Sequence, residues 1–241
     1  LAKCPGVQRI ESYIPAQIHS MLAQTTELIR TRRGSNLMRP GRNGFGAGLR
    51  LVDIDVGLDF YHPGFFAPEA RTFAWLDVDQ DGVFSAGDGV DLDADGALGE
   101  GELLSVLKAK VNDWRNGVVD GAADQPFEAT KDWLFVDQNQ DGVRNYKNGF
   151  EENTAAFGEP VFVVEDRDGD GRLNGVDRLV RLGRSRVAAY RSGLVTHRRG
   201  VDLLQVAMRD LFHGTGVWGI LAGGPALRPR SGIAPEATIL H

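Results

Sequence analysis

Four short segments of one design, spread between Asp77 and Gly171, constrain this chain more than any other feature. They are Asp77-Val78-Asp79-Gln80-Asp81-Gly82, Asp91-Leu92-Asp93-Ala94-Asp95-Gly96, Asp137-Gln138-Asn139-Gln140-Asp141-Gly142 and Asp166-Arg167-Asp168-Gly169-Asp170-Gly171. Each places oxygen-bearing side chains at alternate positions and ends on a glycine, which permits a sharp turn. Carboxylates at this density repel one another unless a cation sits among them. The apolar runs Phe73-Ala74-Trp75-Leu76, Trp133-Leu134-Phe135-Val136 and Val161-Phe162-Val163-Val164 lead into three of the segments and read as strands. The predicted unit is a strand followed by an acidic loop.

The spacing identifies the cation. Calcium loops of the EF-hand type put oxygen ligands at positions 1, 3 and 5, glycine at 6 and a bidentate acid at 12. The second segment fits throughout, with Asp91, Asp93, Asp95 and Glu102. The first offers Asp77, Asp79, Asp81 and Asp88; the fourth offers Asp166, Asp168, Asp170 and Asp177. The third has Asp137, Asn139 and Asp141, but Asn148 at position 12, so Glu151 or Glu152 would have to close a longer loop. At these positions the loops hold fourteen of the chain's 33 acidic residues. Magnesium, which prefers fewer protein ligands and keeps its waters, is a poorer match than calcium. Leu103, Leu104, Leu107, Val111 and Trp114 share a helical face after the second loop, which predicts half of an EF-hand there. A dockerin-like docking module is an alternative, though the uneven spacing fits it poorly.

The remaining composition excludes several classes. A net charge of −6 argues against nucleic acid as the main partner. The single Cys4 rules out an internal disulfide framework. No run approaches the roughly 18 apolar residues that span a membrane. The chain reads as cut at both ends, because it begins at Leu1 rather than methionine and stops at His241 just after a strand-like run, Ala237 to Leu240.

Outside the acidic region two stretches carry chemistry. His213-Gly214-Thr215-Gly216-Val217-Trp218-Gly219-Ile220-Leu221-Ala222-Gly223 reads as a buried helix with a histidine at its exposed start. Glycine is costly inside helices, by about 1 kcal/mol each, so its glycines predict close backbone packing. Leu49 to Val56 reads as a strand covered on both faces, as in parallel sheets. Asp55 ends that strand before Gly57, where open α/β sheets build their sites. Asp53 lies on the same face and competes with it.

These stretches resemble the motifs of subtilisin-like serine peptidases. Asp55-Val56-Gly57-Leu58-Asp59-Phe60-Tyr61-His62-Pro63 is similar to the family's aspartate motif. His213-Gly214-Thr215 is similar to its histidine helix, and Gly232-Ile233-Ala234-Pro235-Glu236-Ala237 to the segment after it. The three occur in family order. Gly216 and Trp218 depart from the usual second histidine and alanine. The resemblance implies an α/β fold: a partial parallel sheet with flanking helices, over about residues 44–241, interrupted by an insertion at about 66–185 that carries the calcium loops. Residues 1–43, through Pro5-Gly6-Val7-Gln8-Arg9-Ile10-Glu11, resemble the end of an inhibitory propeptide and a linker.

The resemblance also implies an activity: endopeptidase hydrolysis of a peptide or protein substrate, with Asp55 and His213 as two members of a triad. No serine of this chain stands in the family's Gly-Thr-Ser-Met-Ala context, so the nucleophile and the oxyanion asparagine are expected beyond His241 and the chain alone is expected to be inactive. A non-catalytic calcium-binding or adhesion protein on a degenerate peptidase scaffold is the alternative. Calcium loops of modest affinity suit an extracellular setting, so secretion is expected. His62 and His197 read as structural. The arginines between Arg178 and Arg199 suggest an internal charge match to the acidic region.

Overall fold

A computed structural model describes residues 46–107, 127–130, 132–145, 158–206, 211–224 and 232–241. Ten strands run in the order β1 (Arg50–Val52), β2 (Phe66–Leu76), β3 (Gly89–Asp91), β4 (Leu104–Leu107), β5 (Trp133–Val136), β6 (Val161–Glu165), β7 (Arg178–Ser185), β8 (Val187–Ser192), β9 (Val195–Arg198) and β10 (Thr238–Leu240). One α-helix, α1 (Leu211–Ala222), lies before β10 among the described residues. Six strands form a sheet in the order β3-β2-β7-β6-β5-β4, antiparallel at every pairing. Four form a second sheet, β1-β10-β8-β9, in which β10 is parallel to both β1 and β8.

The expected α/β fold, a parallel sheet with flanking helices, is therefore wrong. Among the described residues the protein is mostly β, and parallel pairing is confined to two short ladders. The cause is local: each acidic loop reverses the chain, and chain reversal pairs neighbouring strands antiparallel. The half EF-hand after the second loop is also absent where it can be seen. Leu104–Leu107 is strand β4, with Leu104 opposite Val136 and Leu107 opposite Trp133. Cross-strand packing overrides its helical spacing. Val111 and Trp114 lie outside the described residues, as do residues 1–45, with the propeptide-like stretch, and Asn148, Glu151 and Glu152.

The uninterrupted apolar runs have a reason. In a strand successive side chains point to opposite faces, and here both faces are covered. Trp133, Phe135, Val161, Val163 and Leu182 enter one core with Leu58, Phe60, Phe65, Val187, Trp218 and Ile239. Leu134, Val136, Phe162, Val164 and Leu179 enter another with Phe73, Trp75, Val90 and Leu173. The first core joins the six-stranded sheet to α1 and the four-stranded sheet. Fully burying one such side chain is worth about 1.5–3 kcal/mol.

The chain crosses between the sheets at Arg186. Its amide donates to Phe65 O at 2.8 Å, and its guanidinium to Gly64 O at 2.8 Å and Ala237 O at 3.4 Å. Burial lowers its pKa to about 10, partly offset by Glu236. Of the other arginines here, Arg181 meets Glu69 at 3.0 Å rather than an acidic loop. The strand expected over Leu49–Val56 is shorter and is not covered on both faces. Among the described residues β1 pairs only with β10, and Val52, Ile54 and Val56 are exposed.

Candidate functional site

β1 leads into an extended loop that carries Asp55, Asp59 and His62 before the 3₁₀ turn Pro63–Phe65. The first turn of α1 docks on this loop. Asp59 N–H donates to Thr215 Oγ1 at 2.8 Å, and Asp59 Oδ1 accepts from Tyr61 N–H at 3.1 Å. Gly214 is required for the approach, because a Cβ there would stand 2.0 Å from Gly57 O. Gly216 and Gly219 would meet nothing within 4 Å, so the close packing expected of the helix glycines holds at Gly214 and not at these two. Gly214→Ala must push α1 off the loop; a loss of at least about 2 kcal/mol, the scale of an overpacked core, should appear in the denaturant midpoint.

This docking brings together Asp55 and His213, 158 residues apart in sequence. His213 Nδ1 lies 2.8 Å from Asp55 Oδ1 and 2.6 Å from Oδ2. A carboxylate only accepts, so the contact assigns the ring proton to Nδ1 and makes Nε2 the basic nitrogen. The Asp55 side chain is 10% exposed and the imidazole 49% exposed. Asp55 Oδ1 also accepts its neighbour's amide, Val56 N–H, at 2.7 Å. Asp53, the competing carboxylate, leaves its buried Oδ2 without a hydrogen-bond partner.

His62 plays a different part. Its Nδ1 accepts from Gly64 N–H at 3.0 Å, and its ring packs near Phe65 and Trp133. Burial lowers its pKa to about 4 from the ordinary 6.5. The unfolded chain therefore takes up a proton below pH 6.5 that the folded chain refuses until about pH 4. Stability present above pH 6.5 should be lost as the pH falls to 4, by about 3 kcal/mol from this residue. Denaturant melts of the protein and of His62→Gln at pH 7 and 4.5 should differ accordingly. His197 is likewise structural, with Nδ1 3.1 Å from Asp202 Oδ2.

The four acidic loops share one backbone. Position 4 is left-handed in each, with φ of 60° at Gln80, 70° at Ala94, 58° at Gln140 and 78° at Gly169. The glycines at position 6 have φ of 75° to 78°. The position-1 carboxylate accepts amides from its own turn, as when Asp77 Oδ2 takes Gly82 N–H at 2.9 Å and Asp137 Oδ2 takes Gly142 N–H at 2.7 Å.

At the far end of each loop one carboxylate straps position 2 to position 9. Asp88 accepts from Val78 and Ser85 N–H at 3.0 and 2.8 Å. Glu102 accepts from Leu92 and Gly99, both at 2.7 Å. Asp177 accepts from Arg167 and Asn174 at 2.8 and 3.0 Å. In the third loop the residue in this role is Glu159, which accepts from Gln138 and Asn145 N–H, both at 2.8 Å. Sequence spacing missed it, since it stands 22 residues after Asp137 rather than 11. The signal that could have found it is the following apolar run: Glu159 directly precedes Pro160 and β6.

Among the described residues, carboxylate oxygens converge within 4.8 Å of one another in three groups: Asp77, Asp79 and Asp81; Asp91, Asp93 and Glu102; and Asp166, Asp168, Asp170 and Asp177. These clusters can hold a metal ion. Asp88 and Asp95 stand outside the groups of their own loops, and the third loop, with Asn139 between Asp137 and Asp141, forms none. The Asp88 carboxyl is raised by burial first and by Asp79 and Asp77 next, against the two amides it accepts. Glu159 is raised for the same reasons, with Asp137 and Asp141 as the like charges.

Compared with known proteins, the chain matches no family model, no curated protein and no solved structure. Its function has to be read from these two constellations. No helix among the described residues is long and apolar enough to cross a membrane.

Proposed function

We propose that this chain carries the acid–base half of a serine peptidase centre, stabilised by calcium in the acidic loops. The observation that carries the reading is the contact of His213 Nδ1 with both Asp55 oxygens, at 2.6 and 2.8 Å. The motif resemblance to subtilisin-like peptidases supports it, and the corrected fold does not oppose it: such constellations are recognised by geometry and recur on unrelated folds.

In this reading His213 Nε2 takes the proton of a serine hydroxyl as that oxygen attacks the carbonyl carbon of a peptide substrate. The same nitrogen then gives the proton to the departing amine. Asp55 stays ionised, holds the ring in the Nδ1–H tautomer and stabilises the imidazolium formed in between. No serine of this chain is assigned as that nucleophile.

The cation is calcium. The loops offer only hard oxygen donors, from acids at positions 1, 3, 5 and 12 and, in the third loop, Asn139 and Glu159. Calcium tolerates such flexible sets of six to eight oxygens, whereas magnesium demands a tight octahedron. Calcium bound there supplies charge balance and cross-links the loops to the strands; it takes no part in the proton transfers. Sites of this kind fill at extracellular calcium levels, which supports secretion.

A fluorophosphonate probe tests the peptidase reading, because it labels only a serine activated by a working base. Full-length protein should be labelled, and His213→Ala should lose the label. Failure of the wild-type protein to label would overturn the reading and leave a calcium-binding, non-catalytic protein.

A further inference from the structure

Trp218 lies on α1 and is fully buried. Its indole N–H donates to His241 Nδ1 at 3.0 Å. A ring nitrogen that accepts carries no proton, so in the neutral imidazole the proton sits on Nε2. The ring is clamped: it stacks on Tyr190 with centroids 5.1 Å apart and planes at 27°, and its Cε1 would lie 3.1 Å from a Cβ on Gly214, the residue next to His213.

Two buried polar atoms in this corner have no hydrogen-bond partner, His241 Nε2 and Asp53 Oδ2. One is a donor and the other an acceptor. They belong to adjacent chain segments, because Asp53 N–H donates to Leu240 O at 3.2 Å beyond the parallel pairing of β1 with β10. Burial lowers the pKa of His241, and the charges of Asp53 and Asp55 partly offset it. Asp53 is two residues from Asp55 on one extended segment.

We propose that Trp218, His241 and Asp53 form a positioning bracket for the Asp55–His213 pair, in which the indole N–H fixes the His241 proton on Nε2 and aims it at the carboxylates of the Asp53–Asp55 segment. The proposal rests on reading Asp55–His213 as the acid–base pair. Trp218 and His241 are positioning residues: both act through the segment that holds Asp55. The bracket explains why Trp218 and His241 occur together, one on α1 and the other after β10. Lone replacement of either leaves a buried polar atom of the other unmatched.

Nitrogen-15 NMR of the full chain, labelled at histidine, reads the tautomers directly. His241 is expected as Nε2–H and His213 as Nδ1–H, with a far-downfield, slowly exchanging Nδ1 proton. Trp218→Phe and His241→Leu should speed exchange of that His213 proton at least tenfold. His241→Gln, whose amide can place an N–H near the lost Nε2–H, should restore slow exchange. Finding His241 as Nδ1–H in the unaltered chain would overturn the bracket without any variant. So would unchanged His213 exchange in both Trp218→Phe and His241→Leu, or His241→Gln exchanging as fast as His241→Leu. Asp55→Asn separates the two readings: if it leaves the His213 proton untouched, the acid–base pair itself is wrong.

Discussion

If the loops hold calcium as proposed, removing it should lower the melting temperature of this protein by roughly 12–24 °C. A ligand that binds only the folded state stabilises by RT ln(1 + [L]/Kd), about 1.4 kcal/mol per site at ten times the dissociation constant. Four loops give about 6 kcal/mol, and a chain of this size shifts by about 2–4 °C per kcal/mol. Calorimetry in excess calcium, in a chelator and in excess magnesium checks it, with magnesium failing to replace calcium. Coincident melts in calcium and chelator would exclude calcium as a structural ion. Glu159→Gln sharpens the test, because it should remove about one loop's share, while the loop-spacing candidates Glu151→Gln and Glu152→Gln should not. The electrostatics give the direction. Asp88 and Glu159 are both raised by burial and by the acids of their own loops, and a cation among those acids reverses that repulsion.

How much of this was legible in the sequence follows from the range of each interaction. Trp133–Val136 and Val161–Val164 could be read as strands because each is a short apolar run bounded by a loop signal, and they are β5 and the body of β6. The acidic loops could be read because their ligands lie within twelve residues. Glu159 escaped because the strap of the third loop is closed by a residue placed through β6, and only tertiary structure brings it to Gln138 and Asn145. Leu104–Leu107 misled because four residues with helical spacing also satisfy a strand when Trp133–Val136 lies alongside. The α/β expectation came from motifs around Asp55 and His213, which report the neighbourhood of the site and say nothing about the pairing of six strands between them. Those motifs did identify the two side chains that meet at 2.6 Å. Trp218 read only as a departure, since its partner His241 is 23 residues away and reaches it through β10.

Under the proposed peptidase reading, Asp55→Asn should reduce kcat by about 10⁴ with KM little changed, the size of this substitution's effect in a serine peptidase triad. Asparagine fills the same space, so the docking of Gly214 on Gly57 and the bond from Asp59 N–H to Thr215 survive. What changes is the proton. A carboxylate can only accept from Nδ1, whereas the asparagine amide can donate to it and so favour the tautomer with Nε2–H, which cannot take a proton from serine. Substrate binding does not involve this exchange, which is why the loss falls on kcat and marks an interaction made in the transition state. His213→Ala should cost at least as much, and the double variant should be scarcely worse than His213→Ala, because the two side chains act as one unit. Additive losses, or a drop below about tenfold for Asp55→Asn, would show that the 2.6 Å contact holds the loop to α1 and has no part in proton transfer. Asp53→Asn separates the neighbouring carboxylate: it acts on the pair only through the bracket, so it should lower kcat less than Asp55→Asn.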